Sequence, residues 1–427
     1  MAGLWGGPPT SDTGWRAMLA RETLSLGWQI LDPFRRGQVK QSAEARLKDR
    51  LRLGNSARLI EAFYFSVGAL PAATMALYAA RTAERLGESA FAARPYGFLG
   101  YLAGTRGLNR TALFLFNRSR RDCLAEKDWS SLAQSVNGEA MYHLSNGRWK
   151  IAIRRSRFVV ALSRKRNRNA DIGSPMAFIG LGHLMAGAFK QMRTAFEQVE
   201  AVAFAKSNDH YLLFHRSGVG QIELAEGRPE VAEVLLVNGQ ALAKRVRDLH
   251  SSLIVEGLLA VARIRLEKVD EVAATADAVL AQAEATPMIN FGSWYGFAAV
   301  AEALVSLFAI RGPGKDGENQ ARAKRAVTLL FQFSRLYPVA VPLASLFSGQ
   351  YAMLCGRSDR AIKRWQAGIR AAEAADMKYD LARLYAALGA APALEINIRA
   401  DHRRQAGIWM ERCGIATLPP LPLTLQS

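Results

Sequence analysis

Apolar residues recur three and four positions apart along most of the chain, which is the spacing of one buried face of an α-helix. The stretch EAMYHLSNGRWKIA, residues 139–152, shows the repeating unit. Leu144 ends one apolar face, Gly147 follows, and Trp149 begins the next apolar face. Glycine commonly stands just past a helix end because it enters the left-handed conformation without a Cβ clash. The pattern therefore predicts a helix, a tight turn and a second helix.

This junction returns at nearly constant spacing. The turn glycines are 39, 40, 40 and 40 residues apart, and a small residue follows five positions later in four of the five cases. The glycines are Gly68, Gly107, Gly147, Gly187 and Gly227, and the later positions Gly356 and Gly389 extend the series. A fixed period of this size indicates a solenoid, in which each helix pair buries its apolar face against the next pair. We predict an all-α fold, a right-handed superhelical solenoid of about eight to nine antiparallel helix pairs with a period of about 40 residues.

The boundaries of this array follow from breaks in the pattern. Residues 1–57 are predicted to form an N-terminal extension with one or two helices, interrupted at Gly54-Asn55-Ser56. Residues 58–414 form the solenoid. Residues 415–427 form a proline-rich tail that cannot continue a helix, because proline lacks the backbone N–H.

Three apolar stretches, residues 172–189, 288–310 and 337–356, are long enough to raise the alternative of a membrane span. All three fall where the spacing places the first helix of a pair. In a solenoid that helix is packed on both sides and is apolar nearly all round. We therefore predict core helices and expect no membrane span.

The charge balance of the chain bears on the kind of partner it binds. Lys and Arg total 56 against 37 acidic residues, which gives a net charge of +19. This balance favours an acidic partner, which is a nucleic acid, an anionic membrane surface or an acidic protein face, although a solvated basic exterior explains it equally well. The three cysteines are far apart and odd in number, which favours neither a disulfide framework nor a zinc site. The N-terminus lacks the pattern of a secretory signal, so we expect a cytoplasmic protein.

The basic residues are concentrated in two predicted second helices, at residues 110–121 and 148–168. The second of these carries nine basic residues and no acidic one. The candidate basic patch consists of Arg118, Arg120, Arg121, Arg148, Lys150, Arg154, Arg155, Arg157, Arg164, Lys165, Arg166 and Arg168. Arginine suits phosphate or carboxylate docking because its planar fork makes bidentate contacts. A solvated outer helix face is the competing interpretation.

Catalytic chemistry is not indicated. The loop GPGKDG at residues 312–317 lacks the spacing of a phosphate-binding loop and has Asp after the lysine. His143 and His183 are 40 residues apart, as are His210 and His250, and we interpret these as structural histidines because no carboxylate or cysteine accompanies them as a metal site requires. We predict no catalytic residue, cofactor, metal ion or small-molecule substrate, and hence a protein that is not an enzyme.

Several segments resemble tetratricopeptide-like repeats, namely NGRW followed by KIA, LGHLMAGAF, ELAEGRPEVAE, EGLLAVARIRL and YDLARLYAALG. More narrowly, they resemble the helical-repeat region of large bacterial signalling proteins, where such repeats follow a class III nucleotide cyclase or kinase domain and an AAA-type ATPase domain. The resemblance covers about residues 58–412. This chain has neither Walker motifs nor cyclase metal carboxylates, so the resemblance implies only the role of the repeat module, which is protein interaction or regulation.

Two functional hypotheses follow. The first is a non-enzymatic scaffold or regulatory subunit that binds a protein partner in the groove lined by the first helix of each pair. The candidate groove residues are Asn137, Glu139, His143, His183, His215 and Gln350. The alternative is a protein that binds a polyanion, either nucleic acid or an anionic membrane, through the basic helices.

Overall fold

The computed structural model describes residues 11–31, 42–66, 69–168 and 172–422. Within these residues nineteen α-helices follow one another without a strand, which confirms the predicted all-α class. The first ten are α1 (Asp12–Leu31), α2 (Ala43–Ser66), α3 (Ala69–Leu86), α4 (Ser89–Thr105), α5 (Asn109–Ala125), α6 (Trp129–Ser145), α7 (Trp149–Lys165), α8 (Gly173–Met185), α9 (Phe189–Lys206) and α10 (Asp209–Ala225). The others are α11 (Pro229–Val246), α12 (Leu249–Arg265), α13 (Val269–Ala285), α14 (Trp294–Arg311), α15 (Glu318–Leu336), α16 (Val341–Leu354), α17 (Ser358–Ala375), α18 (Lys378–Ala390) and α19 (Ile396–Cys413).

A residue in the left-handed conformation separates successive helices at intervals of twenty positions. The series comprises Gly87, Gly107, Lys127, Gly147, Asn167, Gly187, Ser207, Gly227, Arg247 and Glu267. At Gly147 the glycine N–H donates to Leu144 O at 2.9 Å and the Arg148 N–H donates to His143 O at 2.8 Å. These two bonds form a Schellman motif, which satisfies carbonyls that the helix end leaves unpaired. The structural period is therefore one helix of about 17 residues plus a three-residue turn.

The sequence showed only part of this series, because glycine marks most turns inside pairs but only one of the turns between pairs, at Gly87. The other turns between pairs place a non-glycine residue at positive φ, such as Lys127 at 54° and Ser207 at 49°. Inside the pair of α12 and α13, Glu267 also has a positive φ, at 60°. Gly68 lies outside the described residues. Gly389 is not a turn residue but lies inside α18, where a side chain would collide with Arg403 of α19.

The structure divides into two compact units. Unit 1 comprises residues 1–142 and 161–166. Here the predicted interruption at Gly54-Asn55-Ser56 is wrong, since α2 continues through it and contains the proposed boundary at residue 57. A glycine within a helix costs only about 0.5–1 kcal/mol. Burial of Leu53 and Ile60 of α2 in a cluster with Met75 of α3 offsets that cost.

Unit 2 comprises residues 143–160 and 167–427. Its first helices α8, α10, α12, α14, α16 and α18 each contact the next, and each packs on the second helix of its own pair. The last of them, α18, also contacts α8. Phe189 and Tyr379 stack edge to face at 5.2 Å between ring centroids, and the Trp149 Nε1–H donates to Ala375 O at 2.9 Å. The first helices of this unit therefore close upon themselves.

Packing on all sides explains the apolar stretches. Every residue of α14 from Trp294 to Ala309 is buried. Among the described residues, one helical segment, Phe291–Arg311, is long and apolar enough to cross a membrane, and 94% of its most apolar window is buried inside the fold. That is the environment predicted for a first helix.

The close packing of α16 on α17 gives a test of this core. The ring of Trp365, fully buried, leaves no space for a side chain at Gly349, whereas Gly407 on α19 faces open space. We expect Gly349→Ala to destabilise the fold by about 1–3 kcal/mol through overpacking. Gly407→Ala should stabilise it by up to about 1 kcal/mol, because alanine loses less conformational entropy in a helix. Urea unfolding of both variants measures the difference, and equal effects would contradict the packing.

Candidate functional site

Most of the predicted groove residues lie in the core. Glu139, His143 and His215 are 3%, 5% and 6% exposed, and Gln350 is fully buried. Asn137 and His183 are only half-buried. The sequence placed these polar residues correctly on first helices. The packing of those helices on both sides, which was expected for the apolar stretches, also buries four of these six polar residues.

Two of the buried histidines, His215 and His250, have lowered pKa values. Burial lowers the pKa of His215 to about 4, although Glu200 lies 3.4 Å from its Nδ1 and opposes the shift. Burial also lowers the pKa of His250, whose Nδ1 lies 2.9 Å from Ser293 Oγ. These contacts support the interpretation of structural histidines. In the described part of the chain, no three His, Cys, Asp or Glu side chains are grouped as a metal site requires.

A buried ion cluster joins three first helices of unit 2. Glu302 of α14 accepts from Arg265 of α12 at 2.8 Å and from Arg383 of α18 at 2.7 Å. Burial alone would raise the pKa of Glu302, but the two guanidinium groups outweigh it and hold the pKa below the usual range. Arg383 also lies over the rings of Phe347 and Tyr379, at 5.2 and 5.7 Å from their centroids. Three first helices are thus joined through one carboxylate.

The basic residues of α5, in unit 1, are largely paired. Arg118 is 9% exposed, and its guanidinium donates to Glu84 at 2.6 Å and to Asp122 at 2.9 Å. Arg118 is therefore a core ion-pair residue and does not belong to an exposed patch. Arg120 lies 3.4 Å from Glu139, and the exposed Arg121 lies 3.7 Å from Asp122. Counting charges along the sequence could not detect Glu84 and Glu139, because they lie on other helices, whereas Asp122 lies four residues after Arg118 on the same helix face.

The basic residues of α7 are more accessible. Those of the predicted patch that are exposed on or beside α7 are Arg148, Lys150, Arg154, Arg157, Arg164, Lys165, Arg166 and Arg168, whereas Arg155 is half-buried. Lys150 pairs with Asp376 at 2.9 Å, and Arg166 lies over the Trp129 ring at 4.8 Å. In the part of the chain that the structure describes, Arg148, Arg154 and Arg157 form no ion pair.

An exposed phenylalanine lies among these arginines. Phe158 is 48% exposed and follows Arg154 and Arg157 by four positions and one position. Residues three and four apart share a helix face, so Arg154, Arg157 and Phe158 form one surface, which we call the α7 basic face. The whole of this face belongs to unit 2. Arg157 also contributes, after burial, to lowering the pKa of His183, which places its charge beside α8. The sequence analysis missed Phe158, and the signal was an apolar residue on the basic side of an amphipathic helix.

Comparison with known proteins gives little information beyond the order of the helices. No protein-family model and no curated protein matches the chain. Among solved structures, the chain is similar to the crystal structure of the P58(IPK) TPR domain, with 11% identical residues, coverage of 92% of this chain and 98% of that chain, and a TM-score of 0.23. The fold therefore rests on the helices and turns described above. The handedness of the superhelix and the bacterial signalling context stay predictions.

The buried ion cluster gives a stability prediction. Glu302→Gln leaves Arg265 and Arg383 facing each other without a buried counter-charge, so we expect a loss of about 3–5 kcal/mol in urea unfolding. The matched control is Glu284→Gln, which breaks the surface pair with Arg325 at 2.6 Å and should cost less than about 1 kcal/mol. Similar losses in the two variants would show that the cluster does not join the helices.

A second prediction concerns pH. Burial raises the pKa of Asp380, on α18, to about 7, and Arg383 only partly opposes the shift. Between about pH 4 and pH 7 the folded chain keeps a proton that the unfolded chain has released, so the stability falls as the pH rises through this window. We expect Asp380→Asn to raise the melting temperature at pH 8 and to flatten its dependence on pH. Asp277→Asn, at an exposed carboxylate whose pKa is lowered by its hydrogen bond to Arg322, should leave the decline between pH 5 and pH 8 unchanged. A wild-type melting temperature that does not fall across this window would refute the prediction.

Proposed function

We propose that this chain is a non-enzymatic protein-interaction module whose partner-binding surface is the α7 basic face. The observation that carries the proposal is that Arg154 and Arg157 lie exposed beside Phe158 and form no ion pair among the described residues. Several other arginines have carboxylate partners, as Arg322 and Arg325 of α15 do with Asp277 and Glu284. The α7 basic face instead leaves positive charge beside an exposed aromatic ring, where both are accessible to a second molecule.

The composition of this face favours an acidic protein partner. Arginine and aromatic residues are enriched at the energetic centres of protein interfaces, where the ring is buried and the guanidinium pairs with carboxylates. A single-stranded nucleic acid would need a series of aromatic side chains on which successive bases stack. In the described part of α7 and its adjoining turns, Phe158 is the exposed aromatic residue, and Trp149 is half-buried.

The predicted groove gives less support. Glu139, His143, His215 and Gln350 are enclosed by neighbouring helices, so a peptide cannot reach them without separating the repeats. We also place the protein in the cytoplasm, where the free thiols of Cys123, Cys355 and Cys413 would remain reduced.

Charge reversal tests this surface. Arg154→Glu combined with Arg157→Glu should weaken the binding of the native partner at least tenfold, since arginines at the centre of an interface each contribute about 1.4 kcal/mol or more. The matched control, Lys363→Glu with Arg370→Glu, makes the same charge change at exposed positions of α17. The measurement is affinity capture of the tagged full chain from its native lysate at low and high salt, with and without nuclease or detergent. Captured proteins and lipids are quantified by mass spectrometry, and captured nucleic acid is quantified separately.

Three results are informative. A stoichiometric protein lost by the α7 variant and kept by the α17 variant supports the proposal. Equal capture by both variants and the wild type would rule out the α7 basic face. Recovery of nucleic acid or anionic lipid that disappears at high salt and with nuclease or detergent would assign the face to a polyanion instead.

A further inference from the structure

The segment after the last helix has an irregular conformation and packs against the protein. Residues 415–421 run as irregular chain along unit 2, after Gly414 ends α19 at a φ of 68°. Ile415 and Leu421 are 8% and 6% exposed, and Pro419 is also buried, whereas Ala416 lies exposed between them. We call residues 414–422 the strap. Buried and exposed positions are interspersed along the strap, so one side of this irregular segment lies against the protein.

The strap region passes the turns between paired helices in order. Cys413, at the end of α19, lies against Gly187, the turn between α8 and α9. Thr417 lies next to Gly227, the turn between α10 and α11, where an added methyl group would be 3.8 Å from its Oγ1. Pro420 then lines a cavity with Glu267, the turn residue between α12 and α13. The chain thus meets one turn for every three to four residues.

This register has a physical basis. Packed helices are separated by roughly 8–10 Å, and an extended chain advances about 3.3 Å per residue, so about three residues span one repeat. The turns recur at a constant interval in sequence, and they therefore form a regular track for an extended peptide. We call the surface at Gly187, Gly227 and Glu267 the turn track.

A cavity lies at the far end of the turn track. It has a volume of about 140 Å³, and Pro420, an exposed residue, forms part of its lining. Val261, Ile264 and Ala303 give it an apolar wall, and Arg265 and Glu302 of the buried ion cluster lie on its polar side. The strap thus borders, through Pro420, a cavity that also contains the carboxylate that joins the first helices.

The strap is held by apolar burial more than by hydrogen bonds. The Ile415 N–H donates to Met410 O at 3.2 Å, which belongs to the end of α19. Residues 416–420 make no hydrogen bond within the described part of the chain. A proline-containing extended segment needs no internal bonds and loses little entropy on binding, which is why such segments serve as exchangeable ligands.

We propose that the turn track is a second binding site, for an extended segment of a partner protein that contains leucine and proline, and that the strap occupies this site in cis. A partner segment with a similar apolar and proline pattern would displace the strap and uncover the cavity at Glu302. The turn track and the α7 basic face share no residue, so this inference does not depend on the function proposed above.

The experiment uses the full chain and a fluorescent peptide of residues 414–422. Leu421→Asp should release the strap because it introduces a charge at a buried position. A tethered strap competes at an effective concentration of about 1 mM, so the released variant should bind the peptide at least tenfold more tightly than the wild type. Ala416→Asp adds the same charge at an exposed position and should bind like the wild type. Fluorescence anisotropy measures the affinities, and a scrambled peptide of the same composition should bind to neither variant.

Hydrogen exchange on the wild-type chain gives a second readout that needs no variant. Excess unlabelled peptide should speed exchange at the Ile415 amide, which is hydrogen-bonded to Met410 O in the strap-bound state. Equal affinities of the two variants, or unchanged exchange at this amide, would overturn the proposal. A concentration-dependent dimer formed by exchange of straps between two copies would overturn the assignment to a partner protein. Arg154→Glu with Arg157→Glu should bind the peptide like the wild type, which separates the two sites.

Discussion

The constraint on which this structure depends is the left-handed residue that ends each helix. It recurs every twenty positions from Gly87 to Glu267, and the Schellman bonds at most of these turns fix how the next helix begins. Helices of equal length with identical turns must present their apolar faces in the same way. Conformational strain is accepted at positions such as Lys127 and Arg247, because the αL state of a non-glycine residue costs only about 1–2 kcal/mol against the packing of two helices.

Charge is distributed according to the packing of the helices rather than the composition of the chain. Arginines that face a neighbouring helix are paired, as Arg118 is with Glu84 and Arg383 is with Glu302. Exposed arginines include some with a carboxylate neighbour, such as Arg325, and others, such as Arg154 and Arg157 of α7, that form no ion pair among the described residues. The net charge of +19 therefore contains a structural part and an uncompensated part. Only the second part is available to a partner, and this is why the proposed function concerns one helix face.

The sequence allowed accurate prediction of helices and of pairing, because periodicity and glycine turns are local signals. The junction at residues 139–152 is found as predicted, with α6 ending at Ser145 and α7 beginning at Trp149. The predictions that failed depended on contacts between distant residues. Gln350 and His215 look like groove residues until the helices that pack around α16 and α10 are known. Arg118 looks like a surface residue until Glu84, 34 positions away, is found beside it. The packing of residues 414–422 against the turns could not be predicted, because the prolines are the only local signal in this segment.

The contact between α18 and α8 changes how unit 2 should unfold. In an open array each repeat touches only its neighbours, so the terminal repeat frays and unfolding proceeds along the chain. Here the Trp149 indole is bonded to Ala375, 226 positions further along the chain. The last pair is thus supported by the first as well as by the one before it, and it cannot detach without breaking contacts at both ends. The array acquires the cooperativity of a globular domain, and the loop closure required makes the joining of its two ends the slow, late step of folding.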